Sequence, residues 1–303
     1  MVYVNYFTGP HADTPPTNLP SYPGIAAGPN EEFAIVSGIE EIIERHATMV
    51  WWHNAIRLPR LDLPDETTSV WADPSTRDQR WWAFRLPNEF DVPVVAGVVE
   101  HPGEQLINIG FAARPRLHDA VLKAWSEALT LQEGSRDLLQ PDGAFRQAYA
   151  SGLLNGSSIK AHRPDRTYAD AYRDDFRDMN DLMCQQQFYL DPRARGRISH
   201  IIDTDRTERR WSDQDLPDRS LETYRRRVEA KGYEVISVDV TSPDVASTGM
   251  RVVRVLIPGL VPNFPAGFPH LGGARLQSVP VELGLRPDPL PADALNRLPL
   301  PHA

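Results

Sequence analysis

NEEFAIVSGIEEIIERHATMVWW, residues 30–52, decides how this chain is read. Its apolar residues Val36, Ile39, Ile43, Ala47 and Val50 recur every three or four positions, the spacing of one buried helix face. At about 100° per residue, Ser37, Glu41, Glu44, Arg45 and Thr48 gather on the opposite side. Pro29 in the first turn and the acidic pair Glu31 and Glu32 suit a helix N-terminus. A polar stripe of this kind is most often a solvated face. The continuation MVWWHN argues against that here. Two tryptophans directly after the charged turn send the helix into the protein. Glu41 and Glu44 are then partly buried and need a cation, either Arg45 or a metal.

Composition bounds the rest. A chain of 303 residues has room for one large domain or two small ones. Its 41% hydrophobic and 24% charged content is that of an ordinary soluble globular protein. A net charge of −9 argues against non-specific binding to nucleic acid or anionic membrane. No apolar run approaches the roughly 20 residues that span a bilayer. MVYVNYFTGPHADTPP lacks the features of a signal peptide, so the expected setting is the cytoplasm. The single cysteine, Cys184, excludes an internal disulfide and a cysteine-rich zinc site. GxSxG, HExxH, Walker A and GxGxxG patterns are all absent. The histidines are scattered, and His46 lies towards the apolar side of its helix, a core position. Asp203 and Asp205 read as a turn feature.

Along the chain, residues 1–23 read as an extended Pro-rich segment and 24–303 as one domain with a Pro-rich tail. Strands are predicted at 80–87, 91–99 and 107–113, with HPGE as the turn between the last two. A helix over 116–132, RLHDAVLKAWSEALTLQ, puts Arg116, Asp119, Lys123, Glu127 and Thr130 on one face. Residues 134–170 look loop-like, 167–192 helical, and RISHIIDT, 197–204, a strand. A helix at 221–233 precedes strands at 234–241 and 250–262. The fold class is therefore α/β or α+β, a mixed β-sheet with packed helices.

GIAAGPNEEFAIVSGIEEIIERHATMVWW, residues 24–52, resembles the second acidic helix of the YcaO family. Its members are ATP-dependent enzymes that activate backbone amides of ribosomally made peptides, usually to form thiazolines and oxazolines. GFAARPRLHDAVLKAWSEALTLQ, YLDP, DVTSPD, RVLIPGL and the proline-rich tail follow in the family's order. The resemblance implies magnesium ligands at Glu41, Glu44 and Glu127, and phosphate contacts at Arg45 and Lys123. It also implies a tail, Pro299, Pro301 and Ala303, that reaches towards the site and orders it. A Cys, Ser or Thr side chain of the precursor peptide, or an external sulfide, would attack a backbone carbonyl. ATP would then phosphorylate the oxyanion, and phosphate would leave.

The pattern departs from the family at four places. Nothing before Gly24 resembles the family's first ATP-binding segment and first acidic helix. Phe33 stands where a glutamate is usual, eight residues before Glu41, and Pro29 where an asparagine is usual. Thr130 replaces a glutamine, and the tail ends Pro299, Leu300, Pro301, His302, Ala303 without the last proline of PxPxP. Two readings follow. A partner chain completes the ATP and Mg2+ site, or the chain is a non-catalytic subunit that scaffolds the enzyme or holds the precursor peptide. Either way an oligomer is expected, with the precursor peptide and a chain that supplies the missing ATP-binding half, or a leader-binding protein, as partners, and with Val36, Ile39 and Ile43 as apolar surface left for a partner.

Overall fold

The computed structural model describes residues 23–69, 76–154, 159–204, 215–268 and 273–302. Strand β1 (Ile25–Gly28) leads into α1 (Glu31–His53), followed by α2 (Asp65–Ser69). Strands β2 (Arg80–Arg85), β3 (Val94–His101) and β4 (Leu106–Ala113) precede α3 (Leu117–Leu138) and α4 (Ala144–Ala150). Short helices α5 (Leu182–Phe188) and α6 (Ser199–Ile202) lead to α7 (Leu221–Glu229). Then come β5 (Ile236–Asp239), α8 (Pro243–Ser247), β6 (Arg251–Leu256) and α9 (Arg275–Glu282).

Two three-stranded sheets, ordered β1-β6-β5 and β2-β3-β4, are antiparallel throughout. The expected α/β character stands, with the sheet divided in two. Helix α1 lies between them. Val253 and Val255 of β6 meet it on one side, and Trp82, Phe84, Val94, Ala96, Val98, Ile109 and Phe111 on the other. The alternate residues Ala83, Val95, Val99 and Ala112 face α3 across the second sheet, as the two-residue period of a strand requires. Being covered on two sides, α1 buries most of its length, including Trp51 and Trp52. Val36, Ile39 and Ile43 are 1%, 0% and 0% exposed, so the stripe expected to await a partner is already filled from within the chain.

Two glycines let α3 approach. Gly97 and Gly110 pair across β3 and β4. A Cβ on Gly110 would stand 2.1 Å from the carbonyl oxygen of Ala124, and one on Gly97 2.8 Å from the Trp125 ring. At the N-terminus of α1 the Asn30 side chain accepts from the Phe33 N–H, so Pro29 precedes the cap and does not sit in the first turn. Residues 197–202 are helical, and none of 197–204 is a strand. Ile198 and Ile201, three apart, bury one side of those turns. The expected loop over 134–170 contains the end of α3 and all of α4. Of the helix expected over 167–192, only α5 is α-helical. Residues 1–22, Asp205 and Ala303 lie outside the described residues.

Gly110→Ala should therefore destabilise the protein by roughly 1–3 kcal/mol, the usual cost of overpacking. Urea unfolding measures it. An unchanged midpoint would mean that α3 does not rest on the sheet at Gly110.

Candidate functional site

Two backbone devices and one side chain bring the acidic residues of α1 and α3 together. Gly24, at φ +100°, places its N–H 2.9 Å from Oε2 of Glu41 and its carbonyl 2.6 Å from the N–H of Val255. No L-residue with a Cβ suits that position, because the added atom would meet the Val255 carbonyl at 2.3 Å. On the other side, the Gly110 window seats Glu127 against β4, where its Oε2 accepts from the Phe111 N–H at 2.6 Å. Between them Arg45 directs Nε towards Glu44 at 3.3 Å and Nη2 towards Glu127 at 4.0 Å.

The C-terminal tail closes the arrangement. Trp52 Nε1 donates to Leu298, Tyr189 Oη to Pro299, and the Ile109 N–H to the Pro301 carbonyl. Pro299, Pro301 and His302 are buried along the edge of β4. His302 Nε2 lies 2.7 Å from Nη1 of Arg45, and Nδ1 lies 3.0 Å from the carbonyl of Ile109. Arg45 can only donate and the carbonyl can only accept, so the ring is neutral with its proton on Nδ1. Burial, with Arg45 beside it, lowers the His302 pKa to about 4.

The electrostatics are strained by burial. Burial raises Glu44 to about 7, against Arg45 and together with Glu127 and Glu41. Burial also raises Glu41, although the Gly24 N–H, Arg45 and Arg254 act in the other direction. Burial alone would lower Arg45, but Glu44, Glu127 and Glu41 together raise it. Lys123, one turn before Glu127, is exposed and makes no ion pair among the described residues.

A divalent cation can be tested against this set. Three carboxylates face one guanidinium, and hard oxygen donors are what Mg2+ takes. Their charge and chemistry therefore fit the ion. Among the described residues, no group of three His, Cys, Asp or Glu side chains is arranged to hold a metal.

Sequence reading passed over two groups. His302 was visible only as a departure from a proline pattern. Glu40 falls beside Ile39 on the covered side of α1. It accepts from Arg114 at 3.1 Å, Arg219 at 2.8 Å and Tyr224 at 2.6 Å, a fully paired structural carboxylate. A carboxylate inside an apolar stripe was the available signal. Arg219 also covers the ring of Phe33 at 4.3 Å, so the residue that replaces a glutamate is held by a cation. His46 is a core residue as expected. It accepts from the Val261 N–H through Nδ1 at 3.0 Å and faces Glu89 through Nε2.

The profile of the YcaO family, described as YcaO cyclodehydratase, ATP- and Mg2+-binding, matches residues 1–261, including the segment before Gly24. No curated protein matches the chain. A solved heterocyclase in complex with substrate and cofactor is 24% identical with a TM-score of 0.67, over 94% of this chain and 33% of that one. The heterocyclase TruD is 22% identical with a TM-score of 0.62, over 99% of this chain and 36% of its own. YcaO from Methanopyrus kandleri, bound with AMPPCP and Mg2+, is 22% identical with a TM-score of 0.54, over 80% and 56%. The chain thus spans about a third of each heterocyclase, and these likenesses establish the fold.

In metal-free buffer, Glu44 gives a signed pH dependence. The folded state holds its proton up to about pH 7 and the unfolded chain only to about 4.5. The native state binds more protons in that window, so this group's contribution to stability falls as pH rises through it. Glu44→Gln removes the effect. Its stability relative to wild type should improve by roughly 1–3 kcal/mol between pH 4 and pH 8. A pH-independent difference in denaturant titrations would contradict the buried, strained carboxylate.

Proposed function

The chain belongs to the YcaO family, and from that premise we propose that it is a subunit of an ATP-dependent peptide cyclodehydratase. Its substrate is a ribosomally made precursor peptide whose backbone amides are activated for thiazoline or oxazoline formation, in the cytoplasm. The observation that carries this reading is the convergence of Glu41, Glu44, Arg45 and Glu127 under the buried tail. Glu41, Glu44 and Glu127 would hold Mg2+ from the protein side, and Arg45 and Lys123 would take the nucleotide phosphates. When bound, the ion offsets phosphate charge and aligns the phosphoryl group, which is most of what phosphoryl transfer needs. Arg45 needs a fixed orientation for this, and His302 supplies it from the tail. The carboxylates would provide one side of a cage, and a partner chain would complete the ATP site.

A second reading has its own support. Phe33, 43% exposed and stacked by Arg219, cannot bind a metal where a glutamate is usual in the family. Under that reading the chain is a non-catalytic subunit that scaffolds the active enzyme or holds the precursor peptide.

Glu44→Gln separates the two in the assembled enzyme, assayed for phosphate release with precursor peptide. The catalytic reading expects turnover to be lost with assembly intact, because a metal site loses several kcal/mol of charge balance. Turnover near wild type would leave only the scaffold. The isolated chain should also bind Mg-ATP weakly, and micromolar affinity by calorimetry would remove the need for a partner.

A further inference from the structure

A cavity of about 520 Å3 lies between the C-terminal half of α1, residues 261–268 and the tail. Met49 and Trp52 form one wall, Phe264 a second, and Leu298 and Leu300 a third. The volume falls in the range of ligand pockets and exceeds what a single side chain fills. Its walls are fixed. Gln185, 2% exposed, donates to the His302 carbonyl at 3.3 Å and accepts from the Ala266 N–H at 3.1 Å, tying tail to loop. The Gly267 N–H donates to Met179 at 2.7 Å, and the Val261 N–H to His46 at 3.0 Å. A ligand entering here therefore meets a preorganised surface.

The mouth is cationic in a chain of net charge −9. Arg177, Arg297 and Asp175 line it. Asp175 is already engaged by Arg173 through two hydrogen bonds of 2.8 Å, which with the Arg177 N–H hold its carboxyl well below the usual range. Arg177 approaches it only to 3.9 Å. Arg297 is exposed and makes no ion pair among the described residues. Two guanidinium groups thus border a cavity with aromatic and aliphatic side chains on three walls, and their complement is a bulky apolar group next to a carboxylate.

We propose that this cavity binds a peptide segment in which a large apolar side chain adjoins an acidic residue. The apolar side chain fills the space between Trp52, Phe264 and Leu300, and the carboxylate meets Arg297 and Arg177. The choice of a peptide rests on the peptide-modifying function proposed above; the apolar and anionic chemistry comes from the cavity alone. Because Gln185 and Leu300 connect the cavity to His302, an occupant would lie beside the tail that holds Arg45.

Fluorescence anisotropy on the purified chain tests this with labelled, end-blocked heptapeptides carrying Phe-Asp, Phe-Lys or Ala-Asp between glycines and serines. Only the Phe-Asp peptide should bind well. Arg297→Glu, at an exposed position, should weaken it about two- to fivefold, the range of an exposed ion pair. Ala266→Trp, which fills the cavity, should abolish binding while circular dichroism stays native. Glu44→Gln should bind the peptide as wild type does, which separates this site from the ATP chemistry. Equal binding of all three peptides, no response to Arg297→Glu, or no binding at about 1 mM would overturn the inference. Displacement by Mg-ATP would also overturn it and assign the cavity to nucleotide. A failure of peptide binding beside a Glu44→Gln loss of turnover would leave the proposed function standing.

Discussion

Arg45 donates to His302 at 2.7 Å while facing Glu44 at 3.3 Å and Glu127 at 4.0 Å. One guanidinium thereby joins α1, α3 and the C-terminal tail. Removing either partner of a buried ion pair leaves the other charge uncompensated, at a cost of about 3–5 kcal/mol. Arginine suits the position better than lysine, because its planar head presents several donors in fixed directions at once. The neutral His302 ring is matched to it, with Nε2 free to accept only because Nδ1–H is spent on the Ile109 carbonyl. The acidic cluster is thus held by the tail as much as by the two helices.

The same cluster explains why α1 is not the solvated amphipathic helix that its charges suggest. It is covered by β6 on one side and by β2, β3 and β4 on the other, so its polar residues point into protein. Each one then needs an internal partner. Glu40 finds two arginines and a tyrosine, Glu41 the Gly24 N–H, and His46 the Val261 N–H. Glu44 has the least, a single contact to Arg45, and burial moves it furthest, to about 7. That shortage is what a bound cation would relieve.

Much of this was legible in the chain. The three-and-four spacing before Trp51 and Trp52 located α1, and the short β-branched runs located β3 and β4. Glu44 of α1 and Glu127 of α3, both singled out from the sequence, face the same Arg45 guanidinium. What escaped reading was set by distant parts of the chain. Residues 197–204 hold isoleucines at a spacing that suits a strand or a helical turn, and packing chose the latter. Gly97 and Gly110 owe their place in the strands to α3, which rests on them and is distant from them in local pattern. Val36, Ile39 and Ile43 seemed to need a partner because the covering strands could not be seen from local pattern. His302 acquired a role only through Arg45, 257 residues away in sequence.

We propose that Glu41, Glu44 and Glu127 form one side of a divalent-cation site shared with nucleotide. Manganese, which takes the same hard oxygen ligands, can be counted directly by electron paramagnetic resonance as ATP is added to the purified chain. ATP should recruit one Mn2+ per chain at about millimolar concentration, and Glu127→Gln should lose that ion while its far-UV spectrum stays native. Equal Mn2+ binding by wild type and Glu127→Gln, or none by wild type with ATP present, would contradict it.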